Sequence, residues 1–312
     1  MNIFLTLMKR EVLENQNGYI RVPVILAGIT ISLVILAMLG VGELNFVNSM
    51  DHHEVENFGD ALSLAQQEEG DELPAAVTVG YWALSMITWM AFPFVVFFSL
   101  LGSLYEERRD RSILFWKSMP VDDWQEVLAK LLAPVFIAPA TFLAVTIAAQ
   151  LTIALIISVV TLFQGGPVLE LWPVGLMIVG WFTAFMHYLI LAVWALPLFA
   201  WLLFVSSFAN RMPFLWALLT PAVLIAIEAM FFETTELVRW IAIHMGGWQE
   251  FAFDGFGRDV DIDGPQELFR MMTSGWQGEA LSYTLTSGSF WFGTIIAVGF
   301  FFGATEMRKR AT

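Results

Sequence analysis

Apolar residues recur along the chain in six long runs, near 22–41, 81–104, 131–163, 174–206, 214–232 and 287–305. Each run is long enough for a helix to cross a hydrocarbon core about 30 Å thick, so the pattern predicts six membrane-spanning helices. The third and fourth runs, at 33 residues each, would be about 50 Å long as straight helices. That is too long for one simple crossing and too short for two crossings with a turn. Neither holds a polar turn cluster, so each is read as one span, with Pro139 and Pro197 as candidate kink sites.

Between the runs the periodicity changes. Ahead of the first span, Phe4, Leu5, Met8 and Val12 share one helical face, with Lys9, Arg10 and Glu14 among the polar residues. This predicts an amphipathic helix at the membrane interface within residues 1–18. Residues 105–130 predict a charged helical extension of the second span, a break at Pro120 and a second helix. Asp122 and Asp123 can cap that helix, with Gln125 and Glu126 in capping-box spacing. Trp124, Val127, Leu128 and Leu131 form one apolar stripe. Such a helix lies flat and presents a face, either to lipid headgroups or to a cytoplasmic protein. The fold expected is all-α and polytopic, a single domain over 1–312.

Composition supports the membrane reading. The chain is 58% apolar and 14% charged, where soluble domains average about 45–50% and about 25%, so a soluble globule is excluded. The net charge of −14 leaves no basic field for nucleic acid. Without cysteine the chain has no disulfide, thiolate ligand or cysteine nucleophile. The N-terminus shows no small-residue cleavage site, so the first span is expected to be its own insertion signal.

The placement of charge sets the expected orientation. Twelve Lys and Arg residues fall on the side of the termini and three (Arg239, Arg258, Arg270) on the other. This positive-inside asymmetry predicts two cytoplasmic termini; the membrane expected is a bacterial inner membrane. Residues 42–80 hold nine acids and no Lys or Arg, which reads as a solvated outer loop. Residues 233–286 carry enough aromatic and aliphatic side chains for short helices resting on, or dipping into, the outer face.

The run Tyr105-Glu-Glu-Arg-Arg-Asp-Arg-Ser-Ile-Leu114, followed by Lys117-Ser-Met-Pro-Val121 and by Lys130-Leu131, resembles the segment between spans two and three of ABC-2 type transporter permeases. The N-terminal helix, the six spans and the long outer segment before span six follow the same order. Arg111 stands where many members have glycine. The resemblance implies an exporter subunit that works as a dimer with two separate ATP-binding subunits. ATP and Mg would be held by those partners, with no cofactor on this chain. It makes 105–130 a coupling segment whose contact residues would be Glu106, Glu107, Arg108, Arg109, Asp110, Arg111, Trp116, Lys117, Pro120, Asp122, Asp123, Trp124 and Glu126. The residues agree on one point independently, since no Gly-Lys dipeptide occurs and a phosphate loop is therefore absent.

Other candidates are few. Glu228 and His187 are ionisable residues inside apolar runs, which makes a place on a transport path the default reading, and reach to the outer interface or ordinary packing the alternative. Asp259, Asp261, Asp263 and Glu267 open like a calcium loop, but Arg270 fills the position of the closing carboxylate. Asp51-His-His-Glu54 is a weaker metal candidate. Gly299 and Gly303 fit a small-xxx-small helix contact. No hydrolase or zincin motif occurs, so the chain is not expected to be an enzyme by itself. An ion-coupled carrier using Glu228 and His187, and a membrane scaffold for envelope assembly, are the rival readings.

Overall fold

A computed structural model describes residues 3–40, 57–68, 70–118, 120–247, 264–273 and 279–311. Among these the protein is all-α, and six helical stretches are long and apolar enough to cross a membrane. It is a multi-pass membrane protein. The first span joins a π-helical turn, Asn17–Arg21, to α2 (Val22–Met38), after the N-terminal α1 (Ile3–Glu14). The second is α4 (Leu73–Arg109), about 55 Å long at 1.5 Å per residue. The third runs Asp123–Phe163, and the fourth starts at Val168. The fifth is α10 (Pro213–Phe231) and the sixth, α14, is Gly288–Arg310.

Several boundaries differ from the sequence reading, each for a local reason. Residues 57–68 belong to a stretch read as a solvated loop, yet α3 (Phe58–Glu68) forms there and buries Leu62. The backbone N–H of Gly59 donates to Gln164 Oε1 at 2.9 Å. A Cβ on Gly166 would lie 2.8 Å from the Gly59 Cα, so two glycines permit this close approach. In the third span, α6 (Asp123–Leu132) passes through a second π-helical turn, Ala133–Ile137, straight into α7 (Ala138–Phe163). The irregularity thus lies at Pro134, just ahead of Pro139. The fourth span breaks at Ala195 into α8 (Val174–Trp194) and α9 (Leu196–Phe208). Pro197 causes this break, because its ring meets the carbonyl four residues back and offers no N–H.

Two ends of the bundle are chemically distinct. At one, α1, the last turn of α4, α6 and the last turn of α14 meet in a charged cluster. Just beside it lies the largest apolar core, including Leu100, Leu104, Val127, Leu131, Leu203 and Ala304. At the other end a separate core gathers Val34, Leu62, Leu73, Tyr81, Ile157 and Leu171. Between them, Gln150 of α7 donates to Tyr81 O and Ser85 Oγ of α4 and accepts from Trp181 Nε1 of α8. These bonds give a buried amide its partners where no water is at hand. Gly303 packs on Phe204 of α9, where a Cβ would come within 2.9 Å of the ring, whereas a Cβ on Gly299 would touch nothing. Half of the small-xxx-small pair is therefore a contact within the chain.

Gln67 and Ser118 are exposed beyond opposite ends of α4. In this cysteine-free chain, Gln67→Cys and Ser118→Cys should react with an impermeant maleimide from opposite faces of the membrane. Labelling of both from one face in intact cells would remove the six-span topology.

Candidate functional site

Seven ionisable side chains from four distant segments converge at the charged end. Arg10 of α1 pairs with Glu126 of α6 at 2.6 Å and with the adjacent Glu11 at 2.8 Å. Lys130 of α6 holds Glu11 at 3.0 Å and Glu107 of α4 at 2.9 Å. Arg308 of α14 reaches Glu107 at 2.5 Å, Asp123 at 3.2 Å and also Glu126. Glu11, Glu107, Glu126, Lys130 and Arg308 are all buried. Charges in such a place persist only when each has partners, and here each carboxylate faces at least one base. On the rim, burial pushes the Glu14 carboxyl above its usual range, with Lys130 opposing.

This cluster redirects the expected roles of several residues. Asp122 is the extended N-cap residue of α6, but its side chain makes no capping bond. The neighbouring carboxylates of Asp123 and Glu126 are drawn to Arg308 instead, so the expected capping box does not form. The apolar stripe of α6 also turns inward. Val127 and Leu131 are buried in the core, and only Trp124 is exposed. Arg108 donates to the carbonyls of Ser206 and Ala209, at 2.8 Å each, and so closes the C-terminus of α9. The Trp116 ring lies under the Arg10 guanidinium, 4.1 Å from its centroid. Lys117 donates to the terminal carbonyls of Lys309 and Ala311. Glu107, Arg108, Asp123 and Glu126 are thus engaged within the chain.

What remains at the surface is a compact strip. Arg109, Asp110, Arg111, Leu114, Phe115, Pro120, Asp122 and Trp124 are exposed, as is Glu106. Arg109 and Asp110 pair at 2.9 Å, and this bond holds the Asp110 carboxyl below its usual range. Between α4 and the short α5 (Ile113–Lys117), Arg111 takes a left-handed backbone, φ 58°. The Arg111 N–H bonds back to the Arg108 carbonyl at 3.3 Å, which ends α4. The Cβ of an L residue crowds its carbonyl there, at a cost of roughly 1–2 kcal/mol that glycine avoids.

The other candidates lie elsewhere. Glu228 accepts from Thr234 Oγ1 at 2.8 Å and from the backbone N–H groups of Glu236 and Leu237 at 2.7 and 2.9 Å. It therefore caps α11 (Glu236–Ala242), a place where a carboxylate also meets the positive end of the helix. His187 is half-buried on α8. Glu267 lies on α12 (Pro265–Thr273), while Asp259, Asp261, Asp263, and the Asp51–Glu54 group lie outside the described residues. Among the described residues no group of three or more His, Asp or Glu is placed to hold a metal.

One buried histidine escaped the sequence reading. His244 follows α11 in a wide turn, Ile243–Gly247, where Gly246 has φ 135°. Its Nδ1 is 2.8 Å from the Trp240 carbonyl, and its ring lies 4.2 Å and 5.6 Å from the rings of Trp240 and Trp194. Burial holds its pKa below the usual value. A Cβ on Gly293 would fall 2.3 Å from Nε2, so that glycine makes room for the imidazole. The only early signal was an isolated histidine two residues before Gly246.

Comparisons with protein-family models, curated proteins and solved structures found no match.

Two variants probe the charged end. Lys130→Met removes one of the two cations that Glu11 and Glu107 share, the one closer to Glu107, and leaves Arg10; it should cost about 3–5 kcal/mol of stability. Lys309→Met, at an exposed neighbour of the cluster, should stay within about 0.5 kcal/mol. Reversible unfolding in mixed micelles measures both. Arg111→Gly should raise stability by about 0.5–1 kcal/mol in the same assay, and a fall would show that the Arg side chain outweighs its backbone strain.

Proposed function

We propose that the chain is the transmembrane subunit of an ATP-driven exporter, with both termini in the cytoplasm and a separate ATP-binding subunit docked at the charged end. The observation that carries this reading is the welding of α1, α4, α6 and α14 by one buried ion cluster directly behind an exposed strip of mixed charge and aromatic side chains. A push delivered at residues 109–124 would meet a rigid corner and pass to three spans at once. The order of motifs in 105–131 supports the ABC-2 type assignment. The left-handed backbone at Arg111 adds to it, because that is the conformation the family's usual glycine suits.

A docking strip differs from a lipid-resting one in its charges. Arg109 and Arg111 alternate with Glu106 and Asp110, which fits a complementary protein surface better than an anionic leaflet. The exporter would act as a dimer around a shared path, and α10, with Ala217 its sole buried residue, is available to lipid or a second copy.

The test is purification of the tagged chain from native membranes together with whatever ATP-binding subunit accompanies it. Wild type should co-elute with it and stimulate ATP hydrolysis. Arg109→Glu combined with Arg111→Glu changes two exposed charges outside the buried cluster, and should weaken the complex by about 2 kcal/mol or more. Equal co-elution would place docking elsewhere, and cargo movement in ATP-free vesicles under an ion gradient would favour the carrier reading instead.

A further inference from the structure

Two cavities lie end to end along one face of α4. The first, about 440 Å³, is lined by Tyr19, Val22, Ala91, Phe94 and Val95, and the second, about 290 Å³, by Glu11, Glu14, Glu106, Glu107, Asp110 and Lys130. They share Asn15, Phe98 and Ser99 as common walls. Along α4 and its C-cap the lining residues Ala91, Val95, Phe98, Gly102, Glu106 and Asp110 step by three or four, as one helical stripe does. Glu11, Asn15, Gly18 and Val22 face them from the N-terminal segment with the same spacing. From Ala91 to Asp110 the stripe extends about 28 Å. It changes from apolar to acidic at Ser99.

The volumes lie in the range of small-molecule sites, about 300–1,000 Å³, but the shape is that of an elongated ligand with two different ends. At the acidic end five carboxylates line the cavity with Lys130, and Arg10 pairs from beside it with Glu11, Glu14 and Glu107, so carboxylates still outnumber these two bases. Glu107 is only 7% exposed, and its Oε1 is held by ion pairs to Lys130 at 2.9 Å and Arg10 at 3.6 Å without an aligned hydrogen bond. Glu14 lies 3.4 Å from Arg10 Nε, yet burial still pushes its carboxyl upward, so a further cation would stabilise it. At the apolar end Phe94 and Phe98 are 65% and 57% exposed, so the cavity opens sideways from α4, where lipid would lie.

We propose that this groove binds an ammonium-headed, single-chain amphiphile, its head among Glu11, Glu14 and Glu106 and its tail along Ala91, Phe94 and Phe98. A primary ammonium is a compact charge with three donors and needs no fixed coordination geometry, which suits carboxylates spread over two helices. The tail reaches the groove from the leaflet. The bound charge offsets the excess of carboxylates beside the ion cluster and stabilises the docking of α1 on α4. None of this depends on the exporter reading, and the test below contains no ATPase.

The protein in phosphatidylcholine nanodiscs is titrated with dodecylamine, and the thermal unfolding midpoint is followed. Dodecanol, dodecyl sulfate and propylamine serve as probes lacking the charge, carrying the opposite charge, or lacking the tail. Dodecylamine should raise the midpoint saturably, and the other three should not. Glu106→Gln with Glu14→Gln, and separately Ala91→Trp, should each weaken the apparent affinity roughly fivefold or more, about 1 kcal/mol. Glu106 is exposed and outside the ion cluster, and Ala91 is only half-buried, so each variant's midpoint without amphiphile checks its folding. An equal response to dodecanol, or wild-type affinity in both variants, would overturn the proposal. Competition from phosphatidylethanolamine in the discs would support the groove and assign the ammonium to a lipid headgroup. Undiminished dodecylamine binding there would support it and assign a free amine.

Discussion

The buried pairing of Glu107 with Lys130 and Arg308 is the constraint on which the charged end depends. A carboxylate at that depth has lost its water and needs cations from elsewhere in the chain. The nearest come from α6 and from the last turn of α14, so both elements must lie against α4. Once Lys130 and Arg308 are fixed, they draw in Glu11, Asp123 and Glu126, and Arg10 follows its neighbour Glu11. The N-terminal helix and the C-terminal turn are thereby held against the corner after span two. Such a cluster adds less to stability than apolar packing of the same volume would, yet it is costly to break at any member. Its effect is to specify one arrangement of four segments.

Within the spans the demand is different. Backbone groups satisfy one another along each helix, and irregular turns occur where proline interrupts the ladder, as at Pro134 and Pro197. Some buried polar side chains pair across helices, such as Gln150 with Trp181 and Ser85, or Trp194 Nε1 with Thr284, and others bond back to the preceding turn of their own helix, as Thr30, Thr78 and Thr183 do. Glu228 follows the same rule at the end of α10, where the free N–H groups of α11 take up its carboxylate. A local cap thus gives that carboxylate its partners.

Six spans were legible because hydrophobic length depends only on neighbours in sequence. The break in the fourth span was legible at Pro197, since a proline acts on its own helix. The α6 stripe was also visible, but not the side it faces, because periodicity gives a face without its partner. Glu107, Asp123 and Glu126 read as surface charges for the same reason. Their partners Arg10 and Arg308 stand 116 residues before Glu126 and 201 residues after Glu107, and no local pattern encodes such pairings. Arg111 is the opposite case. A left-handed residue closing a helix is a local matter, yet the sequence reading put the break at Pro120, whereas α4 already ends at Arg109 with Arg111 left-handed behind it.

The ion cluster and the groove along α4 have Glu11, Glu107 and Lys130 in common. Three bases, Arg10, Lys130 and Arg308, face four carboxylates, Glu11, Glu107, Asp123 and Glu126, before Glu14 at the rim is counted. The cluster therefore carries one carboxylate more than its bases, and Glu14 adds another on the groove side. A cation entering beside Glu14 would lower the repulsion felt by Glu11 and, through Lys130, by Glu107. The same side of α4 that receives it runs on to Asp110 and the exposed strip. Charge in the groove and force on the strip would act on one helix end, because both bear on the residues that hold α1 and α6 in place.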